Sequence, residues 1–506
     1  MTQTFCPDNF HKQFDEGKTQ LAWKWIPADL ETPVSAFLKV AHEEPYSFLL
    51  ESVEGGASLG RYSIIGLKPD LIWEYAKDQI TVTQNDQKKS CDKPPLESLR
   101  GHLKSCQIDD APQDMPPMAV SGLFGYMGYD CIRLIEDIPE TNDDTLNIPE
   151  STMIRPTVMV IFDNVKNMMC LVTPIYEHKD NSDKDALNTL NAAQERLDQV
   201  LQKLEEPVSS PSKTASTVKT PLEATSNFEP ADFRKIVKQA VEYINAGEIF
   251  QAVLSQRFTS EFDLEPFTLY RSLRRLNPSP FLFYMNFDGF SLVGSSPEIL
   301  VRRRDNKITI RPIAGTRKRG KTETEDQALA EDLLADQKEC AEHLMLVDLA
   351  RNDIGKVAEK GSVEVTDQFI IEYYSHVMHI VSNVEGTLSE DFDSLDALLA
   401  GFPHGTVSGA PKVRAMEIIE ELETLRRSFY AGCVGYLSAN GDLDTCLALR
   451  TAIVKDGKLH VQAGAGVVAD SDPESEQQEC INKAKAVLQA AEDAIIESQK
   501  ATNSRY

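Results

Sequence analysis

Two pairs of glutamates with three-residue spacing are the clearest candidates for chemistry: Glu339 with Glu342, and Glu476 with Glu479. Each pair lies in a segment with helical periodicity, so both carboxylates should project from one helical face, where like charges are unfavourable unless a cation or water separates them. Two such faces brought together would suit Mg²⁺, which prefers oxygen ligands and often binds one or two protein carboxylates plus an anionic substrate. A solvated acidic face is the alternative, and it is preferred for either pair alone.

The neighbours of both pairs are unusual for a surface helix. An apolar run follows Glu342, which predicts a helix buried on most sides. Gly464, Ala465 and Gly466 precede an Asp-Pro signature for a helix start at 472–473. Glycines there would let backbone N–H groups approach an anion near the start of the helix, and a tight turn without a ligand is an equally good interpretation.

Three further residues could bind a small anion. Arg450 alternates with small apolar residues, so a strand would place its guanidinium on an apolar face, where it needs a carboxylate from either a ligand or an internal acid. Tyr430 could donate a hydrogen bond to the same anion or pack in the core. Lys412, at the end of the small-residue segment 405–412, is either surface charge or part of a pocket.

Two residues could transfer protons. His379 lies in an apolar run, so a neutral core histidine and a proton-transfer residue both remain open. Glu298 follows a Ser-Ser-Pro turn beside apolar residues. Desolvation would raise its pKa, as a general acid requires, whereas an ion pair to Arg302, Arg303 or Arg304 is the simpler alternative.

The elements that must position these residues do not alternate regularly, which favours an α+β fold over a parallel doubly wound sheet. A Ser-, Thr- and Pro-rich linker at 205–229 divides the chain into an N-terminal portion, 1–204, and a C-terminal portion, 230–495. Strands are predicted at 46–53, 62–66, 71–75, 80–83, 157–162, 281–287 and 292–294, with an antiparallel meander at 433–468. Helices are predicted at 183–204, 230–246 and 473 to about 492.

Composition excludes several classes of protein. The formal charge of −27 disfavours nucleic acids and anionic membranes as partners. No apolar run approaches the roughly 18 residues of a membrane span, and the N-terminus lacks signal-peptide order, so a cytoplasmic location is expected. The nine cysteines are scattered without Cys-x-x-Cys spacing, so we expect reduced thiols, not disulfides or zinc ligands.

Six segments in order resemble the chorismate-utilising enzyme family, and the resemblance covers nearly the whole chain. It implies two packed, largely antiparallel β-sheets surrounded by helices, with the active site in the C-terminal portion. The segments are 250–258, Gly-Ser-Ser-Pro-Glu at 294–298, Pro-Ile-Ala-Gly-Thr-Arg at 312–317, 342–353, Gly-Thr-Val-Ser-Gly-Ala-Pro-Lys at 405–412 and 462–468.

By this resemblance, Glu342 and Glu479 bind Mg²⁺, with Glu339 and Glu476 adjacent or acting through water, and the metal holds the ring carboxylate of chorismate. Seven residues fall where the family binds substrate: Gly315, Thr316, Tyr430, Arg450, Gly464, Ala465 and Gly466. Glu298, His379, Gln251 and Thr316 are the expected catalytic residues.

The implied reaction converts chorismate and ammonia to anthranilate and pyruvate. Ammonia adds at C2 of the ring while Glu298 protonates the departing C4 hydroxyl, and His379 assists loss of the C2 proton with expulsion of pyruvate. Relatives that add water carry Lys where this chain has Gln251, and relatives that make aminodeoxychorismate typically carry Lys where it has Ala314. An aminodeoxychorismate-forming enzyme and a non-catalytic tryptophan-binding regulator are the alternatives.

The resemblance also implies feedback inhibition by tryptophan at a second site, in the biosynthesis of that amino acid. The expected residues are Leu50, Glu51, Ser52, Arg61, Pro280, Phe281, Leu282, Val434 and Tyr436, with Phe281-Leu282 in place of the usual Tyr-Met. Lys318 and His404 replace the commoner Pro and Ala, and neither change is expected to touch an assigned group. Since no Gly-x-Cys-x-Gly glutaminase nucleophile is present, a separate glutamine amidotransferase subunit should supply ammonia, and we expect an oligomer.

Overall fold

The computed structural model describes residues 10–54, 58–108, 115–116, 121–176, 185–208, 215–374 and 377–503, of which helices and strands occupy similar shares, about 35% and 36%. The helices are α1 Phe10–Asp15, α2 Pro33–Val40, α3 Pro95–Lys104, α4 Ala186–Glu205, α5 Pro230–Asn245, α6 Pro266–Leu276, α7 Glu323–Ala335, α8 Gln337–Gly355, α9 Ser394–Gly401, α10 Lys412–Leu422 and α11 Pro473–Asn503. Short 3₁₀ helices span Tyr129–Leu134 and Gly405–Val407.

The strands of the described residues pair in antiparallel ladders throughout. They are β1 Gln20–Pro27, β2 Ser47–Glu54, β3 Ser58–Ala76, β4 Gln79–Gln84, β5 Gln87–Cys91, β6 Gly122–Met127, β7 Ser151–Asp163, β8 Met168–Ile175, β9 Thr225–Ser226, β10 Gln251–Glu261, β11 Phe281–Phe287, β12 Phe290–Ser296, β13 Ile299–Arg304, β14 Lys307–Ile310, β15 Ile313–Lys318, β16 Glu364–Tyr373, β17 Val377–Thr387, β18 Gly409–Ala410, β19 Cys433–Ser438, β20 Leu443–Leu447, β21 Thr451–Lys455 and β22 Lys458–Val467.

Two long strands, β3 and β7, pass from one sheet into the other. The first part of β3 pairs with β2 as far as Gly66, and the second part pairs with β4 from Leu71 onward. Its register against β7 shifts between Pro69 and Leu71, next to Lys68, whose φ is 51°. Because Pro has no N–H to donate and disrupts a ladder, the shift is expected there. The sequence predicted two strands, 62–66 and 71–75, where the structure has one.

The two sheets that share β3 and β7 pack face to face. Through these shared strands the described strands form one continuous hydrogen-bonded network. The first sheet contains β1, β8, β2, β11, β12, β21, β22, β10, β9 and β18, and the second contains β5, β4, β6, β19, β20, β13, β14, β17, β15 and β16. Aromatic rings fill the space between them: Phe48 stacks on Phe124 at 4.8 Å, and Tyr126 meets Phe287 at 5.4 Å, both between ring centroids. The prediction of two packed antiparallel sheets with helices around them is confirmed.

Helices α8 and α11 carry the two glutamate pairs and flank the sheets. Helix α11 contacts β22 and helix α8 contacts β15 and β17. The prediction that α8 is buried on most sides is wrong, because Leu346, Val347 and Ala350 line its buried face while Leu344 and Asp348 are exposed. The apolar residues form one buried stripe along α8, and the other faces of the helix are exposed to solvent. Helix α11 is also longer than predicted.

The two predicted portions are joined by the sheets. Strand β2 pairs with β11 and β6 with β19, so N-terminal strands complete C-terminal ladders. In the linker, residues 209–214 lie outside the described residues, as do the first two residues of the helix predicted at 183–204. Beyond 214 the chain is anchored, since β9 pairs with β10 and the Ser216 hydroxyl bonds Asp263. The domain division stays a prediction.

The cysteine prediction is confirmed for the described residues, in which every cysteine is a free thiol, whereas Cys6 lies outside them. Across the described ranges no helix combines the length and apolar character that crossing a bilayer requires.

Candidate active site

Glu298 lies in the turn between β12 and β13 with only 3% of its surface exposed. Its Oε1 lies 3.0 Å from the Thr406 hydroxyl oxygen, within hydrogen-bond distance. Burial raises the pKa of Glu298 to about 8, although Thr406 and the positive charges of Arg450 and Lys483 lower it. The carboxyl group is therefore an acid that keeps its proton at neutral pH.

The alternative of an ion pair between Glu298 and a neighbouring arginine is wrong. Arg302 and Arg304 pair with Asp444, at 3.2 and 3.0 Å. Arg303 donates to Ser394, to Asn306 and to a backbone carbonyl. All three arginines lie at the far end of β13, away from the turn that holds Glu298.

His379 pairs with Thr316 across β17 and β15. Its Nδ1 lies 2.9 Å from the Gly315 carbonyl oxygen and 3.1 Å from the Thr316 hydroxyl. Since a carbonyl oxygen only accepts, Nδ1 carries the proton. Burial lowers the pKa of His379, so its ring is neutral and the Nε2 lone pair is available to take a proton.

Gly315 makes this arrangement possible because its φ is 68°, in the left-handed region that favours glycine. A Cβ there would also lie 3.1 Å from Leu333 Cδ1 and 3.3 Å from Glu339 Oε2. The family resemblance assigned both Gly315 and Thr316 to substrate binding, and in the structure both contact the imidazole of His379.

Arg450 does not lie in a strand, so the prediction from alternation is wrong. It occupies the connection between β20 and β21 with φ of 50°, and a left-handed residue interrupts the alternation of faces. Its guanidinium makes no ion pair within the described residues, although it acts electrostatically on Glu298 and His379. An unpaired, largely buried guanidinium suits a carboxylate ligand.

The glycine segment is the interior of strand β22, not a turn near a helix start. A Cβ at Gly464 would lie 2.8 Å from the Tyr430 hydroxyl oxygen, and one at Gly466 would lie 2.4 Å from Gln251 Nε2. Side chains alternate along a strand, so Ala465 faces the opposite side and packs in an apolar cluster. These glycines leave room for the side chains of Tyr430 and Gln251. Because the Ala465 side chain faces the apolar cluster, only its backbone is available to a substrate.

Each glutamate pair lies on one helix, as its spacing predicted, and the two helices α8 and α11 bring Glu479 close enough for its charge to act on Glu342. Burial raises the pKa values of Glu339 and Glu342, and repulsion adds to the effect, from Glu342 on Glu339 and from Glu479 on Glu342. Burial and Glu479 likewise raise the pKa of Glu476, which accepts a 2.7 Å hydrogen bond from Ser471. Gln251 Nε2 lies 3.5 Å from Glu342 Oε1 at the edge of this acidic group.

Lys483, which sequence reasoning missed, is the cation nearest this group. Its Nζ lies 2.7 Å from Glu479 Oε1 and 3.0 Å from the Gly464 carbonyl oxygen. Its positive charge also lowers the pKa values of Glu342 and Glu476. The Glu-to-Lys spacing of four residues on α11 was the available signal.

The donor set of this acidic group fits Mg²⁺. It consists of carboxylates, and burial, followed by repulsion from neighbouring carboxylates, raises the pKa values of Glu339, Glu342 and Glu476. Oxygen ligands of this kind are the ones Mg²⁺ prefers. In the described part of the chain, no three His, Cys, Asp or Glu side chains converge into a ready-made cage. Few protein ligands are enough for Mg²⁺, which retains waters and shares substrate oxygens.

Two residues of the segment 404–412 behave differently from expectation. Lys412 is not a free surface charge, because its side chain is only 12% exposed and its Nζ lies 2.6 Å from Asp353 Oδ2. The expectation that His404 touches no assigned group is wrong, since its Nδ1 lies 3.6 Å from Glu298 Oε1. A single substitution in a loop gave no sign of which residue it would face.

A second cavity of about 350 Å³ gathers eight of the nine predicted inhibitor residues, all except Pro280. The eight are Leu50, Glu51, Ser52, Arg61, Phe281, Leu282, Val434 and Tyr436. Sequence reasoning missed Tyr62, Ile64, Phe283, Arg302, Arg304, Gly435, Asp444 and Cys446, which also line it. Strand pairing β2–β11 and β19–β20 brings these distant segments together.

The charged groups of this cavity differ in their freedom to bind a ligand. Both oxygens of Glu51 are occupied, by Tyr270 and by Arg274, whose Nε and Nη2 lie 2.7 and 2.9 Å away. Asp444 Oδ1, by contrast, is buried without a hydrogen-bond partner among the described residues. Asp444 is therefore a better candidate than Glu51 for contacting a ligand ammonium group.

The fold and the site define an enzyme built on two packed antiparallel sheets, with a buried acid, a neutral imidazole and two acidic helices gathered in one place. The sequence matches the family described as chorismate binding enzyme over residues 53–489. The chain belongs to this chorismate binding enzyme family.

The relatives and solved structures agree with this assignment. Anthranilate synthase component 1 of Cereibacter sphaeroides is 50% identical over 501 residues, covering 98% of this chain and 99% of the relative. The protein of the same name from Acetivibrio thermocellus is 46% identical, covering 93% and 94%. The crystal structure of anthranilate synthase component I from Streptococcus pneumoniae has a TM-score of 0.74 at 38% identity, covering 92% and 99%. A menaquinone-specific isochorismate synthase from Escherichia coli shares the fold, with a TM-score of 0.68 at 21% identity, covering 95% and 98%.

Proposed function

We propose that this enzyme makes anthranilate and pyruvate from chorismate and ammonia, as the names of its relatives suggest. The observation that carries the proposal is the burial of the Glu298 carboxyl group, which raises its pKa to about 8, beside the guanidinium of Arg450, which makes no ion pair within the described residues. A hydroxyl group leaves a ring readily only when it is protonated, and Glu298 is the acid of the site.

In the first step, ammonia forms a bond with C2 of the ring while the C4–O bond breaks. The proton of Glu298 goes to the departing oxygen, which leaves as water. Arg450 and the hydroxyl of Tyr430 bind a carboxylate of the substrate, which fixes the ring relative to Glu298. Gln251 is neutral and does not activate water, so ammonia is the nucleophile.

In the second step, the C2 proton is lost and the C3–O bond breaks. His379 Nε2 takes the proton, since Nδ1 is already bonded to the Gly315 carbonyl oxygen. The enolpyruvyl group leaves and is protonated to pyruvate, and the ring becomes aromatic. Thr316 keeps the imidazole in place through its 3.1 Å contact with Nδ1.

Glu342 and Glu479 would bind Mg²⁺, with Glu339 and Glu476 adjacent or acting through water. When bound, the metal offsets the negative charge of the ring carboxylate of chorismate. The protein residues supply the protons.

Ammonia comes from a glutamine amidotransferase partner, in keeping with the designation component 1 of the relatives. We also retain the expectation of an oligomer. Free thiols throughout the described residues are typical of the cytoplasm, which is the proposed location.

The second cavity is proposed to bind tryptophan as a feedback inhibitor. The free oxygen of Asp444 suits its ammonium group, and the guanidinium groups of Arg61 and Arg302 suit its carboxylate. Phe281, Leu282 and Val434 offer an apolar wall for the indole ring.

Product analysis tests the function. The purified chain is incubated with chorismate, magnesium and ammonium, and the products are separated by chromatography. Equal amounts of anthranilate and pyruvate are expected. Aminodeoxychorismate, which retains the pyruvyl group, would assign the chain to the sister activity, and unconsumed chorismate would rule out catalysis.

A further inference from the structure

His404 is buried next to the general acid, and its protonation state follows from its contacts. The backbone N–H of Thr406 donates to Nδ1 at 3.3 Å. An amide N–H only donates, so Nδ1 is an acceptor and the ring proton is on Nε2. Burial and the nearby Lys412 lower the pKa of His404 to about 4, so the ring stays neutral at neutral pH.

The hydroxyl of Thr406 has one proton and two acceptors within reach. Its Oγ1 lies 3.0 Å from Glu298 Oε1 and 2.9 Å from His404 Nδ1. If the proton points to Glu298, it stabilises the ionised carboxylate. If it points to His404, the Nδ1 lone pair is shared between the N–H and the O–H of Thr406, and the Thr406 oxygen becomes an acceptor for the O–H of a protonated Glu298.

We propose that His404 is a positioning residue that favours the protonated form of Glu298 through a directed chain, from the Glu298 O–H to Thr406 and from the Thr406 O–H to His404 Nδ1. The direct approach of Nδ1 to Glu298 Oε1, at 3.6 Å, acts in the same sense, because two lone pairs face each other when Glu298 is ionised. The inference rests on the proposed function, in which Glu298 must carry a proton.

The other charged groups around this hydrogen-bond chain show why the His404 acceptor matters for the protonation of Glu298. Arg450 and Lys483 face Glu298 and favour its ionised form, whereas the phenol of Tyr374, whose pKa is raised by burial and in part by Glu298, is neutral. Lys412 and Asp353 face His404 and pair with each other at 2.6 Å, and they act on the pKa of His404 in opposite directions, Lys412 lowering it and Asp353 raising it. Burial and the His404 chain oppose the two cations.

Three variants separate the acceptor from the volume of the side chain. His404→Asn can keep an acceptor near the position of Nδ1, His404→Leu has a similar size without one, and His404→Ala is the substitution that the family resemblance makes tolerable. The initial rate of anthranilate formation is measured against pH at saturating chorismate, magnesium and ammonium, after thermal unfolding has shown that each variant is folded.

Removal of the acceptor should lower the pKa of Glu298. In His404→Leu and His404→Ala, the pH at which the rate declines on the alkaline side should be lower by about one unit. At pH values above this decline the rate should be about tenfold lower than in the wild type, and at acidic pH it should be unchanged. His404→Asn should keep the limb of the wild type. An unmoved limb in the Leu and Ala variants, or an equal shift in all three, would overturn the inference.

A second measurement does not depend on activity. The difference infrared spectrum between the wild type and Glu298→Gln gives the carboxylic acid band of Glu298, and its loss with rising pH reports the pKa directly. The band should disappear at lower pH in a His404→Leu background. A wild type that makes no anthranilate would refute the proposed function, whereas equal titration in both backgrounds would refute only the role of His404.

Discussion

The ammonium group of Lys483 lies 2.7 Å from Glu479 Oε1, so a lysine supplies positive charge between the acidic faces of α8 and α11. A divalent cation bound by Glu342 and Glu479 would take over that charge compensation. Lys483 would then be free to bind a second anionic group, and its 3.0 Å bond to the Gly464 carbonyl oxygen keeps it at the site.

The magnesium requirement should depend on these two glutamates. We expect Glu342→Gln and Glu479→Gln to raise the magnesium concentration for half-maximal anthranilate formation at least tenfold, because loss of even an indirect metal contact typically costs about 10- to 100-fold in affinity. Glu474→Gln is the matched control on α11, since Glu474 is exposed and pairs with Arg234 at 2.8 Å. Equal behaviour of all three variants would argue against the assigned ligands.

Replacement of the general acid should abolish most of the activity. Glu298→Gln retains the size and hydrogen-bonding capacity of the side chain but has no acidic proton, so kcat should fall about a hundredfold or more. In the wild type the acid form is present below its pKa of about 8 and is lost as the pH rises through that value, so the rate should decline on the alkaline side. The variant should lack that alkaline limb, and retention of the limb would assign it to another group.

His379 should affect the second step more than the first. In His379→Ala, ammonia can still add to the ring, but no imidazole Nε2 is present to take the C2 proton. The aminated, non-aromatic intermediate should accumulate while chorismate is consumed, as measured by chromatography of stopped reactions. Equal slowing of chorismate loss and anthranilate formation would show that His379 does not act after amination.

Tryptophan sensitivity should depend on Asp444. Loss of a charge-assisted hydrogen bond to the ammonium group typically costs about 1.5 to 3 kcal/mol, so Asp444→Asn should raise the half-inhibitory tryptophan concentration at least about tenfold, relative to the uninhibited rate of the same variant. Asp442→Asn, in the adjoining turn, should retain sensitivity. An unchanged inhibition curve for Asp444→Asn would place the ammonium group elsewhere.

The buried ion pair of Glu423 and Arg427 should be critical for stability. Arg427 Nη2 lies 2.6 Å from Glu423 Oε1, which also accepts from the Ser255 backbone and hydroxyl. Arg427→Met leaves a buried carboxylate without its partner, which should lower the free energy of unfolding by about 3 to 5 kcal/mol in urea titrations. Arg351→Met breaks an exposed pair with Asp348 and should cost at most about 1 kcal/mol.

Local periodicity was enough to predict much of the fold and the placement of each glutamate pair on one face of a helix. The three-residue spacing of Glu339 and Glu342 defines one face of a helix whatever lies around it, and the strand Phe281–Phe287 has the bounds that its apolar run predicted. Such signals depend on neighbours in the chain, which the sequence displays directly.

Residue positions that depend on backbone conformation or on long-range contacts could not be predicted from the sequence. Arg450 alternates like a strand residue, yet its left-handed φ of 50° places it in a connection. His404 and Glu298 are separated by more than a hundred residues and meet only because the 3₁₀ segment after α9 lies against the turn between β12 and β13. Tertiary packing decides such contacts, and no periodicity records them.

The central claim is tested most directly by the fluorescence of anthranilate when the purified wild type is mixed with chorismate, magnesium and ammonium. We predict a steady rise in anthranilate fluorescence that stops when EDTA is added, resumes with excess magnesium and is absent in Glu298→Gln. Consumption of chorismate without anthranilate, or anthranilate formation unaffected by loss of the Glu298 carboxyl group, would contradict the account.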